Sequence, residues 1–476
     1  MRTETRLHQI VIVGGGAAGL ELATALGDKL GARRGRKARA HVVLVDQTRT
    51  HIWKPKLHEI AAGSMDMGVH EVDLLAQAHW HGFTSCLGAL TGLDRANREI
   101  SIAPYVDEEG QRVTPARRIP YDTLVIAVGS QSNDFGTPGV AQHALKLETA
   151  GDARRFHRRM LSAFIRANTQ TEPLRPEQLH VAIIGVGATG VELSAELHRS
   201  TREVVAYGLD QLNAEKDICV NLIEAAPRIL PALPERLSDA TEDLLTKLGV
   251  VVHADARVAQ VMADGVRLVD GRVIAAELVV WAAGVKAPDF LKELDGLEVN
   301  RINQLLVHPN LQTTLDSNIF AMGDCAACPW PDASSDKPRF VPPRAQAAHQ
   351  QASHLARQIR RHIAGKPLKT YRYRDFGSLV SLGGYSTVGN MMGGLIGGSL
   401  FIEGVFARLM YRRSTRCTNT HCTALPKWHW TPWRASLPAV PSPGSSCIDG
   451  WRRSACQSCG SSLSAPGVVN TVSTPV

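Results

Sequence analysis

The 476-residue chain lacks a clean apolar run of the length, about 18 residues or more, that a helix needs to cross a bilayer. The nearest candidate, MMGGLIGGSLFIEGVFARLM at Met391–Met410, is rich in glycine and broken by Glu403 and Arg408. It is expected to lie in a membrane interface rather than to cross it. The apolar stretch of a secretory signal is also missing. Met1–Gln9 is short and polar, so folding is expected to begin in the cytoplasm. Cysteine is sparse in the body of the chain: of nine, only Cys86, Cys219, Cys325 and Cys328 precede Tyr411, as suits a reducing compartment. No metal site is expected. Cys456 and Cys459 form a CxxC pair, but Cys417 and Cys422 lie far upstream, and zinc wants two close pairs in a compact setting. Motifs for RNA or DNA are lacking too. The formal charge of +8 is therefore read as affinity for an acidic membrane surface, with no nucleic-acid partner.

What is present is enough chain for two or three domains, with an ordinary 44 % of hydrophobic residues. HQIVIVGGGAAGLELATAL opens with an apolar run ending at Val13, followed by Gly14, Gly16 and Gly19 in a GxGxxG pattern and then by helix-compatible residues. AHVVLVD supplies a second strand ending at Asp46. This is the first βαβ unit of a dinucleotide-binding fold. Gly14 allows the tight turn, Gly16 lets the backbone approach a pyrophosphate, and Gly19 lets helix and strand pack closely. The helix N-terminus offers amide donors and the positive end of its dipole. Asp46 can accept from ribose hydroxyls, although the basic loop Gly31–Ala40 pushes it beyond the usual spacing of about 20 residues.

The pattern returns in HVAIIGVGATGVELSAEL, with Gly185, Gly187 and Gly190, and in VNLIEAAPRILP, whose strand ends at Glu224. By analogy of fold, two such units imply two different dinucleotides, one of them a flavin. A carboxylate beside the adenosine ribose favours NADH, because it repels a 2′-phosphate. Arg228, four residues on, is the one residue that could soften that preference. Two further stretches complete the flavin half: YDTLVIAVGS at Tyr121–Ser130, with Gly129 in its closing turn, and TTLDSNIFAMGDCA at Thr313–Ala326. In the latter, Asp324 can reach a flavin ribityl chain or cap a turn.

With these pieces in order, the chain resembles the two-dinucleotide-binding flavoproteins and, within them, the type II NADH dehydrogenases, non-pumping single-subunit NADH:quinone oxidoreductases. HIWKPKLHEIAAGSMD (His51–Asp66), AVGSQSNDFGTPG (Ala127–Gly139), VVWAAGVKAP (Val279–Pro288, with Gly284) and GVELSAEL (Gly190–Leu197) carry the likeness from about Gln9 to about Tyr411. So does AQxAxQ at Ala345–Gln350, which resembles the family's quinone-site motif. Gln346 and Gln350 fall on one face of a helix. The resemblance implies that these neutral amides hydrogen-bond quinone carbonyls while the alanines admit a flat ring. It also implies FAD and NADH as cofactors, hydride transfer to the flavin and electrons on to a membrane quinone. A peripheral position on the cytoplasmic face of the inner membrane follows, and a homodimer is compatible with it. Glu192 is the candidate nicotinamide-side contact or proton relay, set against a solvated glutamate in a first helical turn. His349 could titrate near neutral pH, set against a packing or surface histidine.

The CxxC pair Cys325–Cys328 raises a rival, sulfide:quinone oxidation, but no well-placed third cysteine stands in the flavin half. A flavin-binding protein impaired by its tail is the other alternative. The resulting architecture is an α/β fold with a split FAD domain (1–150 and 288–365, the latter with the quinone-site helix) and an inserted NADH domain (151–287). A membrane-facing segment (366–412) and an atypical tail (413–476), expected to be disordered, follow. After about Arg412 the composition changes abruptly to Ser, Pro, Trp and Cys without helical period. The tail is therefore expected to be read out of frame. Translating the gene in its shifted frames from Arg412 onward should restore an amphipathic helix; if neither frame does, the expectation fails.

Overall fold

Runs of Val and Ile with no polar alternation need cover on both faces, which a parallel sheet flanked by helices supplies. The computed structural model describes residues 6–32, 36–330, 339–382, 386–391 and 400–403. In it, β1 (His8–Val13) leads through a glycine turn into α1 (Ala17–Leu30) and back to β2 (Ala40–Asp46). α2 (Leu57–Ala62), β3 (Thr84–Leu87) and β4 (Thr123–Ile126) follow. The second half repeats the plan: β5 (Ala144–Lys146), α3 (Ala150–Thr169), β6 (His180–Ile184), α4 (Ala188–Ala206), β7 (Cys219–Ile223), β8 (Val250–His253) and β9 (Leu278–Trp281). The chain then returns to the first sheet with β10 (Ile319–Ala321) and α5 (Ala345–Ile363).

The first sheet has the order β10-β4-β1-β2-β3 and the second β5-β9-β6-β7-β8, with every pairing parallel. The two glycine-bearing strands, β1 and β6, are therefore central in their own sheets. Ile10, Val11, Ile12, Leu44, Val125 and Phe320 are wholly buried in the first core, and Ile183, Leu222 and Val280 in the second sheet. α3 caps its own N-terminus with a reciprocal Thr149–Asp152 box: Thr149 Oγ1 accepts the Asp152 amide and Asp152 Oδ2 accepts the Thr149 amide, both at 3.1 Å. α1 and α4 start on glycine with no side-chain cap.

The chain crosses between the halves on a short antiparallel ribbon, Gln131–Ser132 with Val285–Lys286. Trp281 Nε1 pins it by donating to the Asn133 carbonyl at 2.9 Å. The first crossing thus comes earlier than residue 150. Ala144–Lys146 already pairs with Val279–Trp281, and Leu145 is buried there, so these residues belong to the second sheet. The described part of the segment expected to face a membrane, 366–412, begins by packing on the body of the protein. Tyr371 and Tyr373 bury in the first core, and Val380 and Leu382 in the second. Beyond the tyrosines, β11 (Ser378–Leu382), β12 (Ser386–Met391) and β13 (Leu400–Glu403) form an antiparallel sheet. Where it is described, at Met391 and Leu400–Glu403, the Met391–Met410 stretch is strand. No helix among the described residues is long and apolar enough to cross a membrane. The expected tail, 413–476, lies outside the described residues.

Candidate functional site

The two glycine turns have the same geometry. Gly14 and Gly185 take φ of +103° and +101°, a left-handed conformation open to glycine at little cost. A Cβ on Gly14 would strike the Ala127 backbone, and one on Gly185 would come within 2.6 Å of Ala283. A Cβ on Gly19 or Gly190 would overlap the carbonyl oxygen of Gly14 or Gly185. Gly16 and Gly187 differ from these: nothing lies within 4 Å of a Cβ built on either. Each of these two also caps its helix without a side-chain partner. Free amide donors at a helix N-terminus, beside space that any side chain would occupy, are the donor set a pyrophosphate needs.

The acids at the ends of the second strands serve these turns. Asp46 Oδ2 accepts the Gly15 amide at 2.5 Å, and Oδ1 accepts the Thr48 amide at 2.7 Å. Glu224 Oε2 accepts the Val186 amide at 3.1 Å, and Oε1 the Ala226 amide at 2.9 Å. In both halves the carboxylate accepts the amide of the residue between the first two glycines of its motif. An ionised carboxylate has about four lone-pair sites, so capacity for a ribose hydroxyl remains. Arg228 is committed elsewhere, donating to the Ser238 hydroxyl at 2.7 Å and the Leu233 carbonyl at 2.9 Å.

Asp324 follows β10 directly. Its Oδ2 accepts from the Ser130 hydroxyl at 2.8 Å, and Lys54 Nζ donates to the Ser130 carbonyl at 2.7 Å. Burial pushes the Asp324 carboxyl above the usual carboxylate range, opposed by the Ser130 hydrogen bond and by Lys54. Gly129, beside Ser130, has open space where a side chain would be. Gly284 differs: a Cβ there would strike the Phe135 ring, and the residue lies in the crossing turn. Lys54 and Ser130 were not singled out from the sequence. Both lie in stretches marked by resemblance, but only the fold shows that they converge on Asp324.

Glu192 is buried, 6 % exposed, and is not a solvated first-turn glutamate. Its Oε1 accepts the Ser381 amide at 3.0 Å, and Oε2 lies 3.5 Å from Nδ1 of buried His58. Burial drives the His58 imidazole down to about 4, so it is neutral near neutral pH. Gln346 and Gln350 hold the chain that follows α5. Gln346 Nε2 donates to the Gly377 carbonyl at 2.9 Å and to Asp375 Oδ1 at 3.2 Å, and its oxygen accepts the Phe376 amide at 3.1 Å. Gln350 Nε2 donates to the Arg374 carbonyl at 2.8 Å and its oxygen accepts the Arg374 amide at 3.0 Å. The neighbouring Gln351, missed in the sequence, accepts the Gly323 amide at 2.7 Å and ties α5 to the Asp324 turn. Cys325 and Cys328 are buried free thiols, and burial pushes both up to about 12. Among the described residues no cluster could hold a metal ion.

The family described as "Pyridine nucleotide-disulphide oxidoreductase" matches residues 8–352. A type II NADH:quinone oxidoreductase of Haemophilus influenzae is 42 % identical over 417 residues, spanning 85 % of this chain and 92 % of that protein. A Mycobacterium tuberculosis protein of the same description is 28 % identical over 418 residues, 85 % of this chain and 82 % of its own. Of solved structures, NDH2 from Plasmodium falciparum in complex with NADH aligns with a TM-score of 0.73 at 18 % identity, covering 88 % of this chain and 97 % of that one. The sulfide:quinone oxidoreductase of Aquifex aeolicus aligns at 0.65 and 18 % identity, over 86 % and 90 % of the two chains. At these identities the structural matches speak for the fold alone.

The contrast between the glycines is testable. Gly16→Ala should leave Tm unchanged and weaken flavin retention. An overpacking cost of about 1–3 kcal/mol corresponds to roughly 5- to 150-fold in affinity. Gly19→Ala should lower Tm itself, since its methyl meets a backbone carbonyl. Thermal denaturation and bound-flavin absorbance on both variants check this; equal loss of Tm in the two would refute the assignment.

Proposed function

Because the chain belongs to the pyridine nucleotide-disulphide oxidoreductase family and, within it, to the type II NADH:quinone oxidoreductases, we infer that it oxidises NADH and passes the electrons to a membrane quinone, with FAD as cofactor and without pumping protons. The observation that carries this reading is the pair of open, uncapped glycine turns in one chain. When bound, the flavin supplies the two-electron redox chemistry. The chain's own residues bind and orient.

The Gly16 turn and the first amides of α1 would hold the FAD pyrophosphate, with Asp46 toward its ribose and the Asp324–Ser130–Lys54 group toward its ribityl chain. The Gly187 turn and α4 would hold the NADH pyrophosphate. Glu224 disfavours a 2′-phosphate there, and the commitment of Arg228 to its own loop keeps it from offsetting that preference. Glu192, in the first turns of α4, serves as nicotinamide-side contact or proton relay. At the acceptor end the two amides divide the work. Both Nε2 hydrogens of Gln346 have acceptors, whereas Gln350 Nε2 uses one of its two on Arg374 and keeps one for a quinone carbonyl. Gln346 thus holds the 374–377 chain, and Gln350 is the donor to substrate. Peripheral attachment at the cytoplasmic face of the inner membrane and a homodimer belong to the same reading. A sulfide substrate is disfavoured, because its chemistry needs a reachable thiolate and both thiols of the CxxC pair are buried and pushed up to about 12.

Purified protein with added FAD should oxidise NADH in the presence of a soluble short-chain quinone, roughly tenfold or more slowly with NADPH, and should not turn over sulfide. Gln350→Leu should raise the quinone KM about tenfold, the value of one lost hydrogen bond to a carbonyl, while NADH still bleaches the flavin at the wild-type rate. A flavin that NADH reduces but quinone does not reoxidise would remove the acceptor assignment.

A further inference from the structure

A partly buried carboxylate joins two helices of the flavin half that pack on each other, α1 and α5, and nothing above uses it. Glu21 lies on α1, soon after the Gly16 turn, and its side chain is 14 % exposed. Its Oε2 accepts from His349 Nδ1 at 2.6 Å, and its Oε1 accepts from the Ser353 hydroxyl at 3.1 Å. His349 and Ser353 are one turn apart on α5, so one carboxylate grips two successive turns of that helix. The contact is distant in sequence, spanning 328 and 332 residues. It is local in function: His349 directly precedes Gln350 and stands three residues after Gln346. Gln351 on the same helix holds the Gly323 amide at 2.7 Å. Any rotation of α5 about its axis would therefore move the acceptor amides relative to both flavin turns.

We propose that Glu21 is a positioning residue for the acceptor site, clamping α5 through His349 and Ser353 so that Gln350 meets the quinone, and that the clamp tightens when His349 is protonated. The proposal rests on the reading of Gln350 as the quinone donor. Among the described residues, Glu21 is a charged group that faces the His349 ring. Arg344 and Asp375, near the outer face of α5, are paired with each other at 3.2 Å, and Gln346 takes Asp375 as a further acceptor. The Glu21 hydrogen bond raises the His349 pKa above its ordinary 6.5, against the opposing effect of burial. The sign follows: a raised folded-state pKa adds stability that is fully present below pH 6.5 and is lost as pH rises through the raised value.

The test uses the full FAD-loaded chain and three proteins: wild type, Glu21→Gln, and His349→Gln, which keeps a donor but does not titrate. In wild type the quinone KM should rise as pH increases above 6.5. In Glu21→Gln it should be raised severalfold at the lowest pH and nearly flat, and in His349→Gln it should be flat. Flavin content and the rate of flavin reduction by NADH should match wild type in both variants. That result separates positioning from general damage. Quinone KM values within twofold of wild type with the same pH dependence, in either variant, would overturn the proposal. A Tm series gives a readout free of turnover: the gap between wild type and Glu21→Gln should be widest below pH 6.5 and narrow above it. A gap that does not change with pH refutes the clamp. If that gap behaves as stated while Gln350→Leu leaves quinone turnover intact, the failure lies with the acceptor reading, and the positioning role falls with it.

Discussion

Everything in this fold hangs on bringing the first turn of a helix against the end of a strand with no side chain between them. Gly14 must turn left-handed, and Gly19 must accept a carbonyl oxygen where a Cβ would stand. Only then do the first amides of α1 face outward beside empty space at Gly16. The second half solves the same problem with Gly185, Gly187 and Gly190. In both, a carboxylate from the next strand closes the turn by accepting the amide of the residue between the first two glycines. That amide would otherwise need another acceptor, and leaving it unmet in a partly buried turn would cost about 1–3 kcal/mol. The acid is thus a structural member of the turn before it is a ribose ligand, which gives the motif's acid a reason to be there in a chain without cofactor.

From these turns the site assembles by a few long-range polar contacts. Ser130 donates to Asp324 and is itself held by Lys54 through its carbonyl, and Gln351 fastens α5 to the same turn. The stretch from His51 to His58 runs along both halves. His51 lies at the Gly15 carbonyl, Lys54 at the Ser130 carbonyl, and His58 at Glu192 of α4. One short segment thereby touches the groups assigned to flavin, to ribityl and to nicotinamide. Buried polar contacts of this kind add little net stability each, yet they define one arrangement, because every alternative leaves a partner unmet.

The parts legible in the sequence were those where local geometry demands a residue type. Both glycine motifs, the strands ending at Val13 and Asp46, and the two acids came from spacing alone. The turn at Gly129 and the acid at Asp324 came from apolar runs that stop abruptly. What stayed hidden depends on tertiary contact. No period in ALKLETA tells that Ala144–Lys146 pairs with β9. Glu192 was singled out in the sequence, but its partners Ser381 and His58, brought to it from far along the chain, were not. The glutamine pair was correctly placed on one face, but its first partners are backbone groups of 374–377, supplied by a segment that the sequence suggested should face a membrane. Hydrophobic period could not find that segment, since its described buried residues, Tyr371, Tyr373, Val380 and Leu382, are scattered between polar ones.

The fold is shared with enzymes that reduce disulfides, and the difference lies in where sulfur is placed. A thiol relay needs a thiolate that can touch both flavin and substrate. Here Cys325 and Cys328 stand next to Asp324, in the right neighbourhood by sequence, yet both are buried. Cys325 Sγ faces the Met322 carbonyl at 3.3 Å, and a buried carboxyl beside it further disfavours the charged form. Electrons that reach the cofactor therefore have no covalent exit through sulfur in this core. The acceptor face proposed for α5, with its uncharged amides and small residues, suits an acceptor that is flat, neutral and apolar. A lipid-soluble quinone has that chemistry, and a charged thiol compound does not. The same scaffold thus separates two reaction classes by burying one pair of sulfur atoms and exposing one amide hydrogen.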